Sequence, residues 1–136
     1  MRRVLIGVLF GVLLLLLLGG CNPTTKPDLV VEPLPDLSGP ISFCRVNAAG
    51  ELVVLVKNQG DGDAAASTVS VEFTPGGAVT ASVPAITAGN SAESDPLVAP
   101  AECYNPDCEF AITLDSTGAL DESNEDNNTA DGSCLG

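Results

Sequence analysis

The chain has 136 residues and carries 18 acids against five lysines and arginines, giving a net charge of −13, with no histidine and no tryptophan. Such an acidic balance excludes nucleic acid and anionic lipid surfaces as natural partners, since both repel a negative face. The lack of histidine removes the commonest general base and the commonest nitrogen ligand of zinc.

Residues 1–20 read as an export signal: Arg2 and Arg3 form the basic start, Val4 to Leu18 the apolar segment, and small residues precede the cut. Leu18-Gly19-Gly20-Cys21 resembles the lipobox of bacterial lipoprotein precursors, which implies lipid attachment at Cys21 and cleavage before it. The apolar stretch is shorter than the roughly 18 to 20 residues a bilayer span needs, and Asn22-Pro23 follows at once. Acyl chains are therefore the expected membrane anchor, and two or three of them give stable attachment. Asn22 stands where many inner-membrane lipoproteins carry aspartate. The expected location is the bacterial cell envelope, at the outer membrane or cell surface, facing periplasm or exterior.

Removal of the signal leaves 116 residues, a length for one domain of modest core, and with only Lys26, Arg45 and Lys57 as cations the charge becomes 3 − 18 = −15. Residues 21–40 read as a lipidated cysteine and Pro-rich tether, with prolines at 23, 27, 33, 35 and 40; Asp28 to Glu32 inside it has the pattern of a short edge strand. Residues 41–136 are the expected folded domain.

Beyond residue 40 the periodicity is that of strands. Ile41 to Val46 and Glu51 to Lys57 flank the turn-like Asn47-Ala48-Ala49-Gly50 and suggest a hairpin that leads into a buried strand, Leu52 to Val56. Val69, Val71 and Phe73 alternate toward one face, as do Val79, Ala81 and Val83, and again Phe110, Ile112 and Leu114. Gly60-Asp61-Gly62, Pro75-Gly76-Gly77, Ala88-Gly89-Asn90 and Asn105-Pro106-Asp107 supply the reversals. Short strands at this spacing, without helices, predict an all-β fold: an antiparallel β-sandwich of about seven strands.

With Cys21 lipidated, Cys44, Cys103, Cys108 and Cys134 remain, and an even number in a small exported domain reads as two disulfides. Four thiols can pair in three ways. Cys103 and Cys108 flank the turn-forming Tyr104 to Asp107 and are expected to bridge the ends of a hairpin, which leaves Cys44 for Cys134. Zinc is disfavoured, because no Cys-x-x-Cys spacing occurs and histidine is absent.

Three segments carry a resemblance to a known family. Pro27-Asp28-Leu29-Val30-Val31, then Val54-Leu55-Val56-Lys57-Asn58-Gln59-Gly60, then Leu114-Asp115 with Asp121-Glu122-Ser123-Asn124-Glu125-Asp126-Asn127-Asn128-Thr129, resemble in order the CARDB domain, the cell-adhesion-related domain of bacterial surface proteins. The resemblance implies an immunoglobulin-like seven-stranded sandwich and a role in adhesion or protein binding. The four cysteines and the hairpin expected at Ile41 to Lys57 depart from the family pattern.

The acids of the last segment admit two readings. In one, carboxylates and amides satisfy the backbone of an irregular turn. In the other, Asp115, Asp121, Glu122, Glu125 and Asp126 converge on calcium, with Asp61 and Asp63 as a second group, since hard cations want several oxygens, although the spacing fits no EF-hand loop. No other cofactor is implied. Catalysis is not expected: there is no histidine, the cysteines are assigned to disulfides, and no tryptophan offers a sugar platform beside Glu122 and Glu125. The expected function is a non-catalytic, lipid-anchored envelope module that binds a surface or envelope protein, and the alternative is a calcium-dependent module organised by the acidic loops.

Overall fold

The computed structural model describes residues 24–136; the signal segment and Cys21 lie outside the described residues. Seven strands, β1 (Leu29–Val31), β2 (Leu55–Asn58), β3 (Ser67–Thr74), β4 (Gly77–Val83), β5 (Ser91–Glu93), β6 (Cys108–Thr113) and β7 (Thr129–Cys134), form two antiparallel sheets. One sheet has the order β1-β2-β5 and the other β4-β3-β6-β7. Among the described residues no helix is long and apolar enough to cross a membrane.

The larger sheet follows directly from alternation. Val69, Val71 and Phe73 of β3 are buried, as are Phe110 and Ile112 of β6 and Leu114 just after it, while Glu72, Ala111 and Thr113 face solvent. Phe73 pairs with Phe110 across the strands, their ring centroids 5.8 Å apart, a geometry in which the aromatic pair adds to its own area burial. Opposite them Leu29, Leu52, Val54 and Val56 complete the core.

Three expectations change. Leu29 is 1% exposed and its strand pairs with β2, so the sandwich starts inside the stretch read as a tether and not at residue 41. The expected strand Ile41 to Val46 is instead a 3-10 turn, Pro40–Phe43, with only a single bridge from Val46 to Leu52. Pro40 has no N–H to give a ladder, Ser42 Oγ bonds back to the carbonyl of Gly39 at 2.6 Å, and Cys44 is tied to Cys134, which holds the turn against β7. Regular pairing in the following run is confined to Leu55–Asn58, because the amide of Val54 bonds the Ser94 hydroxyl (3.0 Å) and Leu52 bridges out to Leu97.

Both disulfides join the expected partners. Cys44 and Cys134 have Cα atoms 5.2 Å apart across 90 positions, and Cys103 and Cys108 have Cα atoms 4.8 Å apart. The second does not close a hairpin: Cys103 ends a short 3-10 turn, Ala101–Cys103, and Cys108 opens β6, so the bridge staples the loop that leads into that strand.

Candidate functional site

The three segments singled out in the sequence meet at one end of the sandwich, around the chain that leads into β1. Its backbone is held on one side by the loop after β2. The amide of Lys26 donates to Asp61 Oδ1 (3.2 Å), Gly62 N–H to the carbonyl of Lys26 (3.0 Å), and Gln59 N–H to the carbonyl of Asp28 (2.9 Å). Glycine is required there: a Cβ on Gly60 would stand 2.4 Å from the carbonyl oxygen of Lys26, and one on Gly62 2.7 Å from the backbone of Thr25.

Asn58 centres this half of the clasp. It is 0% exposed, its Nδ2 donates to the carbonyls of Gly62 (2.8 Å) and Ile86 (3.0 Å), and its Oδ1 accepts from Asp28 N and Gly60 N (both 3.1 Å). Every hydrogen-bonding position of the amide is used, which is what a fully buried asparagine requires.

The loop between β6 and β7 holds the other side. Leu29 N–H donates to Glu122 Oε1 (2.6 Å), Ser123 N–H to the carbonyl of Pro27 (2.9 Å), Asn127 Nδ2 to Asp28 Oδ1 (2.8 Å), and Lys26 Nζ pairs with Asp121 Oδ1 at 3.0 Å. The lysine pair is exposed on the aspartate side and contributes little by itself, whereas the backbone bond to Glu122 is buried and charge-assisted.

The acids behind this clasp divide. Asp115, Glu122 and Glu125 each bring a carboxylate oxygen within 4.8 Å of the others. Asp121 is spent on Lys26, and Asp126 lies exposed in a turn where its N–H bonds Asn124 Oδ1, so neither joins the group. Asp61 and Asp63 likewise cap backbone amides, those of Lys26 and Ala88. Within the group Asp115, at φ 44°, accepts from the amides of Ala119 (3.0 Å) and Leu120 (2.9 Å), Glu125 accepts from Glu122 N (2.9 Å), and Glu122 Oε2 accepts from Asn128 Nδ2 (2.7 Å).

Glu122 is 4% exposed, and its carboxyl is pushed above the usual range chiefly by burial. The bonds from Leu29 and Asn128 act against that shift, and the charges of Glu125 and Asp115 add to it. Three carboxylates can thus accept backbone and amide donors and still offer lone pairs to a hard cation; the buried Asn128 Oδ1 beside them has no partner.

The CARDB family model matches residues 26–131, the stretch that runs from the clasped segment into β7. The chain belongs to the CARDB family. A CARDB domain from Pyrococcus furiosus, solved in complex with di-metal ions, is 21% identical, with 81% of this chain and 93% of that one covered and a TM-score of 0.55. A domain from Methanosarcina acetivorans, described as part of a cell-surface protein, is 24% identical over 81% of this chain and 91% of that one, with a TM-score of 0.59. Both likenesses show the sandwich fold. Comparison with curated proteins finds no significant match.

The sequence pointed to the acids and to the glycine turn but not to what they hold. Asn58, Lys26 and Asn127 become clasp residues through partners some 30 to nearly 100 positions away. No local spacing signals such contacts.

Proposed function

We propose that this CARDB chain is a non-catalytic, lipid-anchored module of the bacterial cell envelope that presents its sandwich to an envelope or surface protein. The supporting observation is where the family motifs go: the second and third fasten the first, at Lys26 to Leu29, which follows Cys21 by only a few positions. A chain reaches at most about 3.5 Å per residue, so with Cys21 acylated the clasp keeps the sandwich within roughly 18 Å of the bilayer. The acidic faces then suit a basic patch on a partner, and β1 is held where the anchor pulls on it. The family's place in surface proteins agrees with that reading, although fold likeness alone does not choose a ligand.

Intact-mass analysis of the detergent-extracted protein tests it. The expected mass is that of residues 21–136 plus lipid, less four protons, with no thiol alkylated before reduction. A mass without lipid overturns the anchored reading.

A second reading has its own support. The convergence of Asp115, Glu122 and Glu125, where burial first and the neighbouring charges second raise Glu122, suits a calcium ion that would neutralise them, and the Pyrococcus domain is described with di-metal ions. If calcium is integral, added calcium raises the melting temperature in proportion to its logarithmic excess over Kd and chelation lowers it. An equal response to magnesium and to sodium of matched ionic strength would instead show screening, and would remove this reading.

A further inference from the structure

An open sheet edge offers unpaired N–H and C=O groups to any strand that arrives, and proteins normally blunt it. Three of the four edges here are blunted. The outward amide of Leu29 on β1 is taken by Glu122; β5 is three residues long and carries Glu93, paired with Arg45 at 3.0 Å; and the 3-10 turn of Pro40–Phe43, stapled by Cys44–Cys134, packs along β7.

The fourth edge, β4, has none of these devices. It is seven residues long, Gly-Ala-Val-Thr-Ala-Ser-Val, without proline or charge, and among the described residues no strand lies on its outer side. Among the described residues one outer backbone hydrogen bond fixes its phase: the carbonyl of Ser82 accepts from Asp95 N–H at 2.8 Å, while the Pro100 ring lies against Gly76, just before the strand. Residues two apart on a strand direct their backbone groups the same way, so Ala78 and Thr80 also face outward, and their bonding groups are open.

We propose that β4 pairs antiparallel with β4 of a second copy of this chain, in a register centred on Val79. That register follows from the occupied end. Centring on Thr80 would need the Ser82 carbonyl that Asp95 already fills, whereas centring on Val79 sets Ala78 against Thr80 of the partner on both sides and closes four backbone hydrogen bonds.

Two further observations select a second copy over another occupant. Val79 and Ala81 point inward like Val69 and Val71 of β3, yet stay half-exposed where those are 0% exposed, because among the described residues no strand flanks them on the outer side. In the Val79 register the two valines form a non-hydrogen-bonded pair, the closer of the two kinds, and cover each other. Charge gives the second. A basic partner would be drawn to the acidic faces, but a copy of a chain at −13 can approach only through a neutral strip, and β4 is the one strand of its sheet without an acid. Glu72 lies on β3 directly opposite Ala78, so in the pair both β4 strands separate one Glu72 from the other.

The pairing has a geometric consequence. The clasp at Lys26 lies beyond the Val83 end of β4, where Ala64 bridges Ile86, and antiparallel pairing therefore places the two clasps at opposite ends of the dimer. Such a dimer suits molecules held on facing surfaces; that consequence, unlike the pairing, rests on the anchored reading above.

The test uses the full chain expressed in cells. Val79→Cys should form a disulfide-linked dimer under mild oxidation, and Ala49→Cys, on an exposed turn of the other sheet, should not. Thr80→Pro removes an N–H that faces away from β3, so it leaves the internal ladder intact while deleting two of the four intermolecular bonds. Added to Val79→Cys it should cut the crosslinked fraction roughly tenfold or more. Sedimentation of detergent-extracted wild type against Thr80→Pro, at equal melting temperature, gives the same answer without new cysteines: the dimer should strengthen with added salt as net charge is screened, and vanish in the variant. Crosslinking of Val79→Cys no greater than the Ala49→Cys level, crosslinking unaffected by Thr80→Pro, or a wild type that remains monomeric with its β4 amides protected by some other strand would each overturn the pairing. A lipid-free mass would leave this result untouched, so the two readings fail separately.

Discussion

At one end of the sandwich the irregular chain is fixed by Cys44–Cys134 and Cys103–Cys108; at the other, Lys26 to Leu29 is fixed by Asn58, Glu122, Asn127 and backbone amides of two loops. Both ends tie irregular chain to the strands beside it. The difference lies in what can undo them. Covalent staples answer to reductant and act mainly on the unfolded chain, while a clasp of buried polar groups answers to protons and to cations and acts on the native state. In this protein the polar device sits at the end where the chain enters the sandwich at Lys26.

The largest expected effect is at the covalent end. Replacing Cys44 and Cys134 together by alanine opens a loop with a separation of 90 residues, and the chain-entropy account puts the loss at about 4 kcal/mol. Urea denaturation measures it. A loss under about 1 kcal/mol would mean that packing alone holds the 3-10 turn on β7.

The matching change at the polar end is Asn58→Ala. It leaves the amides of Asp28 and Gly60 and the carbonyls of Gly62 and Ile86 without their buried partner, and should cost about 3 kcal/mol. Hydrogen exchange should quicken first at Asp28 and Leu29 while β3 and β6 stay protected. Uniform acceleration across both sheets would show that the clasp is not a separate unit. Replacing Cys103 and Cys108 by serine removes a loop with a separation of only five residues, and about 2 kcal/mol is expected, confined to the approach to β6.

The two ends also differ in how they are written in the sequence. Strands β3, β4 and β6 are legible because six to eight residues alternate without interruption, and the two disulfides because four cysteines and a turn leave few choices. The segment at Pro40 was misleading: Ile41, Phe43 and Val46 look like strand residues, but a prolyl nitrogen and the pull of Cys134 decide the outcome. The clasp is hidden for a different reason. Leu29 meets Glu122 across 93 positions and Asp28 meets Asn127 across 99, so the acids announce a loop without announcing its guest. Of the five acids between Asp115 and Asp126, only Asp115, Glu122 and Glu125 converge, since a loop turns successive side chains apart.

The smallest effect separates the ends by pH. Glu122 has its carboxyl raised above the ordinary 4.5, first by burial and further by Glu125 and Asp115. A raised carboxyl means that the native state holds its proton more tightly than the unfolded chain does. Its contribution to stability is therefore full below pH 4.5 and is lost as pH rises through the raised native value. Glu122→Gln keeps an oxygen for Leu29 N–H, and a rotated Asn128 amide can turn its unpartnered Oδ1 toward the new Nε2, so the variant folds with the clasp closed and without this slope. Melting curves of the two proteins should diverge above pH 4.5, the wild type falling behind. Parallel curves would mean that Glu122 ionises in the clasp without penalty. Calcium sharpens the same measurement: an ion between Asp115, Glu122 and Glu125 favours the ionised carboxyl, so calcium should flatten the wild-type slope, leave the covalent end unchanged, and have little effect on Glu122→Gln.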